Sequence, residues 1–129
     1  MSLPSPDAFP RAFANAWATR DAAEIAALFA EDADFLSLTG AWAEGRKGIS
    51  DLLGAELSGA FARAKLVTGR GKQRPLAPGA TMILQRFVLS GIVDANGRDA
   101  GRIGAVLSAV LVESSGRWQV AAAQFSVEG

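Results

Sequence analysis

The run Ile103-Gly-Ala-Val-Leu-Ser-Ala-Val-Leu-Val112 is apolar on both of its alternating faces. An antiparallel strand with one wet face alternates apolar and polar residues, so this run demands cover on two sides. Thr81 to Leu89 reads the same way, apart from Gln85 and Arg86. What precedes these strands is helical. Phe9, Phe13 and Trp17 recur every four residues, with Ala12 and Ala16 beside them, which is one apolar stripe of a helix. Asp7 is expected to cap this helix, with Pro10 in its first turn and its end near Thr19. Asp21 and Glu24 form the start signal of a second helix, with Ile25, Leu28 and Phe29 on its apolar face. A third is expected from Arg46 to Leu57, carrying Ile49, Leu52, Leu53 and Leu57 on one side and stopped by Ser58-Gly59.

Between the second and third helices, Phe35 to Thr39 reads as a short strand, followed by a loop with Trp42 and Glu44 between Gly40 and Gly45. The remainder reads as strands over Ala62 to Arg74, Thr81 to Ile92, Arg102 to Val112 and Trp118 to Val127. The turns are Pro75 to Gly79, the Asn96-Gly97 hairpin signal, and Ser114-Ser115-Gly116. Three helices followed by a meander predict an α+β fold in one domain, 1–129. Three short helices cover only one face of such a sheet. The other face then needs a partner, most simply a second copy of the chain packed sheet against sheet. The alternative is a sheet curled so tightly that it buries both faces on itself.

Composition removes whole classes of chemistry. The 129 residues include no Cys and no His, so disulfides, zinc fingers, thiol nucleophiles, imidazole bases and imidazole metal sites are all excluded. The 13 basic and 13 acidic side chains balance, which argues against a nucleic-acid-coating protein. Arg63, Lys65, Arg70, Lys72 and Arg74 form a local basic run. No aromatic residue interleaves it, so a charged edge strand is expected rather than a nucleic-acid surface. The start, Met1-Ser-Leu-Pro-Ser-Pro-Asp7, has neither a basic segment nor an apolar run, and no stretch approaches the roughly 20 apolar residues that span a bilayer. A cytoplasmic protein without membrane contact is expected. Gly69-Arg-Gly-Lys72 lacks the spacing of a phosphate loop, and Asp94-x-Asn96-Gly97-x-Asp99 lacks the ligands of a calcium loop. No cofactor and no metal are expected.

Trp17-x-x-x-Asp21, Leu28-Phe-Ala-Glu-Asp-Ala-Asp-Phe35, Gly40, Gly45-Arg46-x-x-Ile49 and Gly116-x-Trp118 follow one another in an order and spacing that resembles the nuclear transport factor two-like superfamily. Within it the chain is most similar to the SnoaL-like group and to SgcJ/EcaC-type proteins. The resemblance covers nearly the whole chain. It implies a cone, with a strongly curved antiparallel or mixed sheet packed on three N-terminal helices. It also implies a pocket at the wide end and often a homodimer through the outer sheet face. The superfamily holds isomerases, cyclases, hydrolases and dehydratases beside non-catalytic association domains, so the fold does not name a reaction.

Carried over residue by residue, the ketosteroid isomerase groups are missing. The base position falls on Ser37, the phenolic donor position on Phe13 and the protonated-acid position on Ser108. A serine hydroxyl is a poor base without an activating partner. Dehydratase members use His, which this chain lacks. A cyclase reading would place an acid and a base at Asp34 or Glu44, with the Trp42 loop folded over the mouth. Asp34 is otherwise expected to bond to Arg46 or to a backbone N–H, and Arg46 to anchor the third helix. The strand phase implied by the resemblance turns Phe13, Trp17, Phe35, Ser37, Gln85, Phe87, Val106, Ser108 and Phe125 inward, with Trp42 beside them. Such a lining suits a small apolar ligand held by a few polar contacts. Two functions stay open: a small-molecule-binding domain, enzymatic or not, and a non-catalytic homodimerising association domain. A spacious cavity favours the first, and a side-chain-filled centre favours the second.

Overall fold

The computed structural model describes residues 2–128; Met1 and Gly129, included in the expected domain, lie outside the described residues. A 3-10 turn (Pro6–Ala8) leads into α1 (Phe9–Ala18) and α2 (Ala22–Ala26), then β1 (Phe29–Leu36), β2 (Trp42–Glu44) and α3 (Gly45–Ser58). The chain closes with β3 (Lys65–Ala77), β4 (Ala80–Ser90), β5 (Ile103–Ser114) and β6 (Arg117–Val127). All six strands form one sheet in the order β2-β1-β6-β5-β4-β3. β1 and β6 run parallel and every other pair is antiparallel. The architecture is the expected α+β one: three helices against a curved, mixed sheet.

Curvature comes from bulges, which bend a strand and increase its twist. Registers shift between Phe29 and Asp34, Thr68 and Gly71, Pro75 and Ala77, and Val110 and Leu111. The helix-facing, concave side buries Ile83, Gln85, Phe87 and Leu89 of β4, Ala105, Leu107, Ala109 and Leu111 of β5, and Val120 and Ala123 of β6. Against them lie Phe9, Phe13, Ala16 and Trp17 of α1, and Ile49, Leu53 and Leu57 of α3. The stripe read from α1 is therefore the face that packs. Trp17 also ties the helix to the chain beyond α3, because its indole N–H donates to the Ala64 carbonyl at 3.0 Å.

Several local expectations change. Asp7 does not cap α1; it sits in the 3-10 turn, and the cap position is Ala8, which makes no side-chain bond. Asp21 does cap α2, its carboxylate accepting the Glu24 N–H at 3.0 Å. β1 starts at Phe29 rather than Phe35, because Glu31 and Asp32 reach solvent at the register shift without leaving the strand. Trp42 to Glu44 is a strand, not a loop. β3 continues through Pro75 to Ala77, where a turn was expected. It is the sheet edge, where a missing backbone N–H is tolerated. The basic run thus lies mostly on an exposed edge strand. The Asn96-Gly97 turn forms, with Asp94 Oδ1 accepting from the Asn96 and Arg98 N–H groups at 2.9 and 3.0 Å. It closes only the single bridge Val93–Asp99. At the start of that excursion Gly91 has φ +79°, and a Cβ there would collide with the Arg63 carbonyl oxygen. Among the described residues no helix is long and apolar enough to cross a membrane.

Candidate functional site

Five of the residues expected to turn inward form one aromatic cluster. Phe13 on α1 packs on Trp17 (ring centroids 6.2 Å apart), Phe87 (6.0 Å) and Phe125 (6.0 Å), and Phe125 packs on Phe35 (6.2 Å). Phe9, Phe29 and Phe61 extend the cluster at 5.6 to 5.8 Å. These tilted and edge-on arrangements at close spacing are how aromatic rings fill space. Phe13, Trp17, Phe35 and Phe87 are fully buried, and only Phe125 is half-buried. The rings occupy the centre of the cone.

Ser37 lies beside them, buried, on the same face as Phe35. Its hydroxyl donates to Glu56 Oε2 at 2.7 Å, as does that of Thr39 at 2.7 Å, and the two hydroxyl oxygens stand 2.9 Å apart. Glu56 is 9% exposed and is the only charged residue buried among those described. Two hydroxyl donors on one carboxylate oxygen compensate its loss of water. Glu56 was absent from the expected site. Its signal was available in the α3 stripe, where a carboxylate shares the buried face of Ile49, Leu53 and Leu57.

Three expected site residues face the other way. Val106 and Ser108 stand on the outer side of β5, between the inward Ala105, Leu107 and Ala109. The phase could not be read from a run apolar on both faces, and a one-residue change moves every side chain across the sheet. The corrected phase supplies no acid either, since the inward neighbours of Ser108 are Leu107 and Ala109. Trp42, 65% exposed, does not cover the mouth of the cone. It pairs with Leu36 on the outer side, and its indole N–H donates to Asp34 Oδ1 at 3.0 Å. Asp34 therefore bonds to Trp42 rather than to Arg46 or a backbone N–H. Asp34 and Glu44, opposite each other in register, both lie on the outer side, away from the rings. Arg46 does anchor α3, donating through Nε and Nη2 to the Phe29 carbonyl at 3.1 and 2.9 Å.

Gln85 faces inward as expected, but its amide braces the β3 bulge. Nε2 donates to the carbonyls of Gly69, Arg70 and Arg86 at 3.0, 3.2 and 3.0 Å. Arg86, next in sequence, points outward and holds Glu128 through two bonds, at 2.6 and 3.1 Å. That hydrogen bond keeps the Glu128 carboxyl below the usual carboxylate range and the Arg86 guanidinium above its own.

The outer face of the sheet is a partly exposed apolar surface with no cover among the described residues. Met82, Leu84 and Val88 of β4, and Val106, Val110 and Val112 of β5, share it with Leu36 and Trp42. A shallow hollow of about 220 Å³ crosses it, lined by Asp34, Leu36, Met82, Ser108 and Val110 with residues 122–124. Opposite edges of this face differ in sign. Asp34 and Glu44 stand at the β1–β2 edge. Lys72 and Arg74 stand at the β3 edge, in register with the outward Leu84 and Met82. The chemical content of the site is thus an apolar surface with charged margins, interrupted by Ser108, Gln124 and the Arg86–Glu128 pair, over a filled centre.

No family model matches the chain, and no curated protein is similar to it in sequence. Solved structures share its fold. An uncharacterised protein with a cystatin-like fold from Caulobacter vibrioides is 24% identical over 95% of this chain and 87% of that one, with a TM-score of 0.87. A hexachlorocyclohexane dehydrochlorinase, LinA type 2, is 12% identical over 95% and 82%, with a TM-score of 0.84. A putative calcium/calmodulin-dependent protein kinase II association domain from Xanthomonas campestris is 20% identical over 95% and 81%, with a TM-score of 0.71. The chain has the cystatin-like fold shared by nuclear transport factor two-like proteins, in agreement with the resemblance in its sequence. The fold houses both enzymes and association domains, so the function has to come from the surfaces of this chain.

Proposed function

We propose that the chain is a homodimerising domain joined through the outer face of its sheet. The observation that carries this reading is the apolar outer face of β4 and β5, left uncovered while the centre of the cone is filled by Phe13, Trp17, Phe35 and Phe87. A contiguous apolar surface of this kind is a contact surface in most soluble proteins. Charge selects a second copy as the occupant. A two-fold axis running along the strands sets the β1–β2 edge of one copy, with Asp34 and Glu44, opposite the β3 edge of the other, with Lys72 and Arg74. The contact is self-complementary: the apolar rows of β4 and β5 meet across it, interrupted by Ser108, Gln124 and the Arg86–Glu128 pair, and its two rims carry opposite charge. Sedimentation velocity tests it: a dimer is expected for the parent chain, and a monomer for Val110→Asp with an unchanged circular dichroism spectrum.

The other reading is a small apolar ligand held inside the cone, with or without turnover. In its favour is Phe125, the one member of its predicted ring lining that is only half-buried. Its ring covers Phe13 and Phe35. A compound that stays with the protein through purification, seen by native mass spectrometry, would support this reading over a purely associative one.

A further inference from the structure

A groove of about 850 Å³ separates the N-terminal half of α1 from the bulged part of β3, on the concave side of the sheet and away from the proposed dimer face. Pro10, Ala8 and Ala12 form its helix wall, and Thr68 and Gln85 lie on its sheet side. Gln85 is 4% exposed, yet only half of its amide is used. Three backbone carbonyls surround one end of that amide, which requires the NH2 group there and directs Oε1 the other way. Among the described residues Oε1 accepts no hydrogen bond, and it is not among the sealed-off polar atoms, so it meets the groove. Gly71 makes this possible, because a Cβ there would collide with Oε1.

We propose that this groove is a binding site for a small neutral molecule that carries an amide or hydroxyl donor on an apolar body. The donor seats on Gln85 Oε1, and the body lies on Ala8, Pro10 and Ala12. Bracing the bulge accounts for Nε2 alone. Oε1 is an accessible acceptor on an otherwise buried side chain, fixed in direction by the three bonds of Nε2, and the groove leaves room for a donor beside it. Neutrality follows from the walls. The groove holds no buried charge, and the rim residues Asp7 and Arg11, one helical turn apart, are exposed and of opposite sign. The Thr68 hydroxyl offers a second polar contact, so a group able to donate and accept at once, such as a primary carboxamide, fits best.

The test is a titration followed by amide NMR, with benzamide as the probe and N,N-dimethylbenzamide, which has no donor, as the control. Benzamide is expected to shift the Gln85 side-chain NH2 and the Ala12 and Thr68 amides saturably, with a Kd in the millimolar range that so small a molecule reaches. The dimethyl compound should bind about tenfold more weakly, the loss of one hydrogen bond. Ala12→Phe, which fills the groove from the helix wall, should abolish the shifts while the rest of the spectrum stays in place. Absence of saturable shifts at these residues, or equal binding of both compounds, would overturn the proposal, and neither result requires the variant to fold. Shifts confined to β4 and β5 outer-face residues would also overturn it, and would leave the dimer reading untouched.

Discussion

Thr81 is 2% exposed, and among the described residues its hydroxyl has no partner. A buried hydroxyl without a hydrogen bond is a net loss, and valine has almost the same shape without it. Thr81→Val should therefore stabilise the fold by about 1 kcal/mol, read as a higher thermal midpoint; a lower one would mean that the hydroxyl has a role the contacts do not show. Gly91 works in the opposite sense. Its positive φ and the Arg63 carbonyl beside it both exclude a side chain. Gly91→Ala should cost at least about 2 kcal/mol in denaturant unfolding, and a cost near zero would show that the turn can relax. Neither residue could be picked out by pattern. A threonine in a strand and a glycine after one are both ordinary, and what singles them out is a neighbour distant in sequence. Glu56 differs: a carboxylate on an apolar helix face is visible in the chain, although the two hydroxyls that receive it are not.

At the scale of elements, the helices were the most legible part. The four-residue spacing of Phe9, Phe13 and Trp17 and the Asp21 cap both survive in the structure, because a helix face is set by neighbours one turn away. Strand phase was the weak point. β5 is apolar on both faces, so nothing local distinguished Leu107 from Ser108, and the shift at Val110–Leu111 breaks the count from the following hairpin. Hence Phe13, Trp17, Phe35, Phe87 and Phe125 lie together as expected, while Val106 and Ser108 face the opposite side. The end of β6 also carries a pH-dependent clasp. Glu128 titrates below its ordinary value because Arg86 donates to it, so the clasp contributes above the unfolded carboxylate pKa and is lost as pH falls through the lower, folded one. The thermal midpoint of Glu128→Gln should trail the parent slightly near neutral pH and converge with it in acid. A gap that widens in acid would reverse the assignment. Both side chains are well exposed, at 44% and 40%, so the effect should be small and weaken with salt.

At the scale of the whole molecule, the two sides of the sheet differ in how they are covered. The concave side is filled by rings from α1, from β1, β4 and β6, and from Phe61, and makes the fold stable. The convex side carries valine, leucine and methionine in positions that gain nothing from facing water. The proposed dimer accounts for both alternations of β5 being apolar. The α1–β3 groove is separate from the proposed dimer face, so the two proposals can be tested independently. The measurement that bears most directly on this account is sedimentation velocity across micromolar concentrations, comparing the parent chain with Val110→Asp. The account predicts a parent species of twice the chain mass and a folded, monomeric variant. A parent chain that stays monomeric at tens of micromolar, or a variant that dimerises as well as the parent, would contradict it.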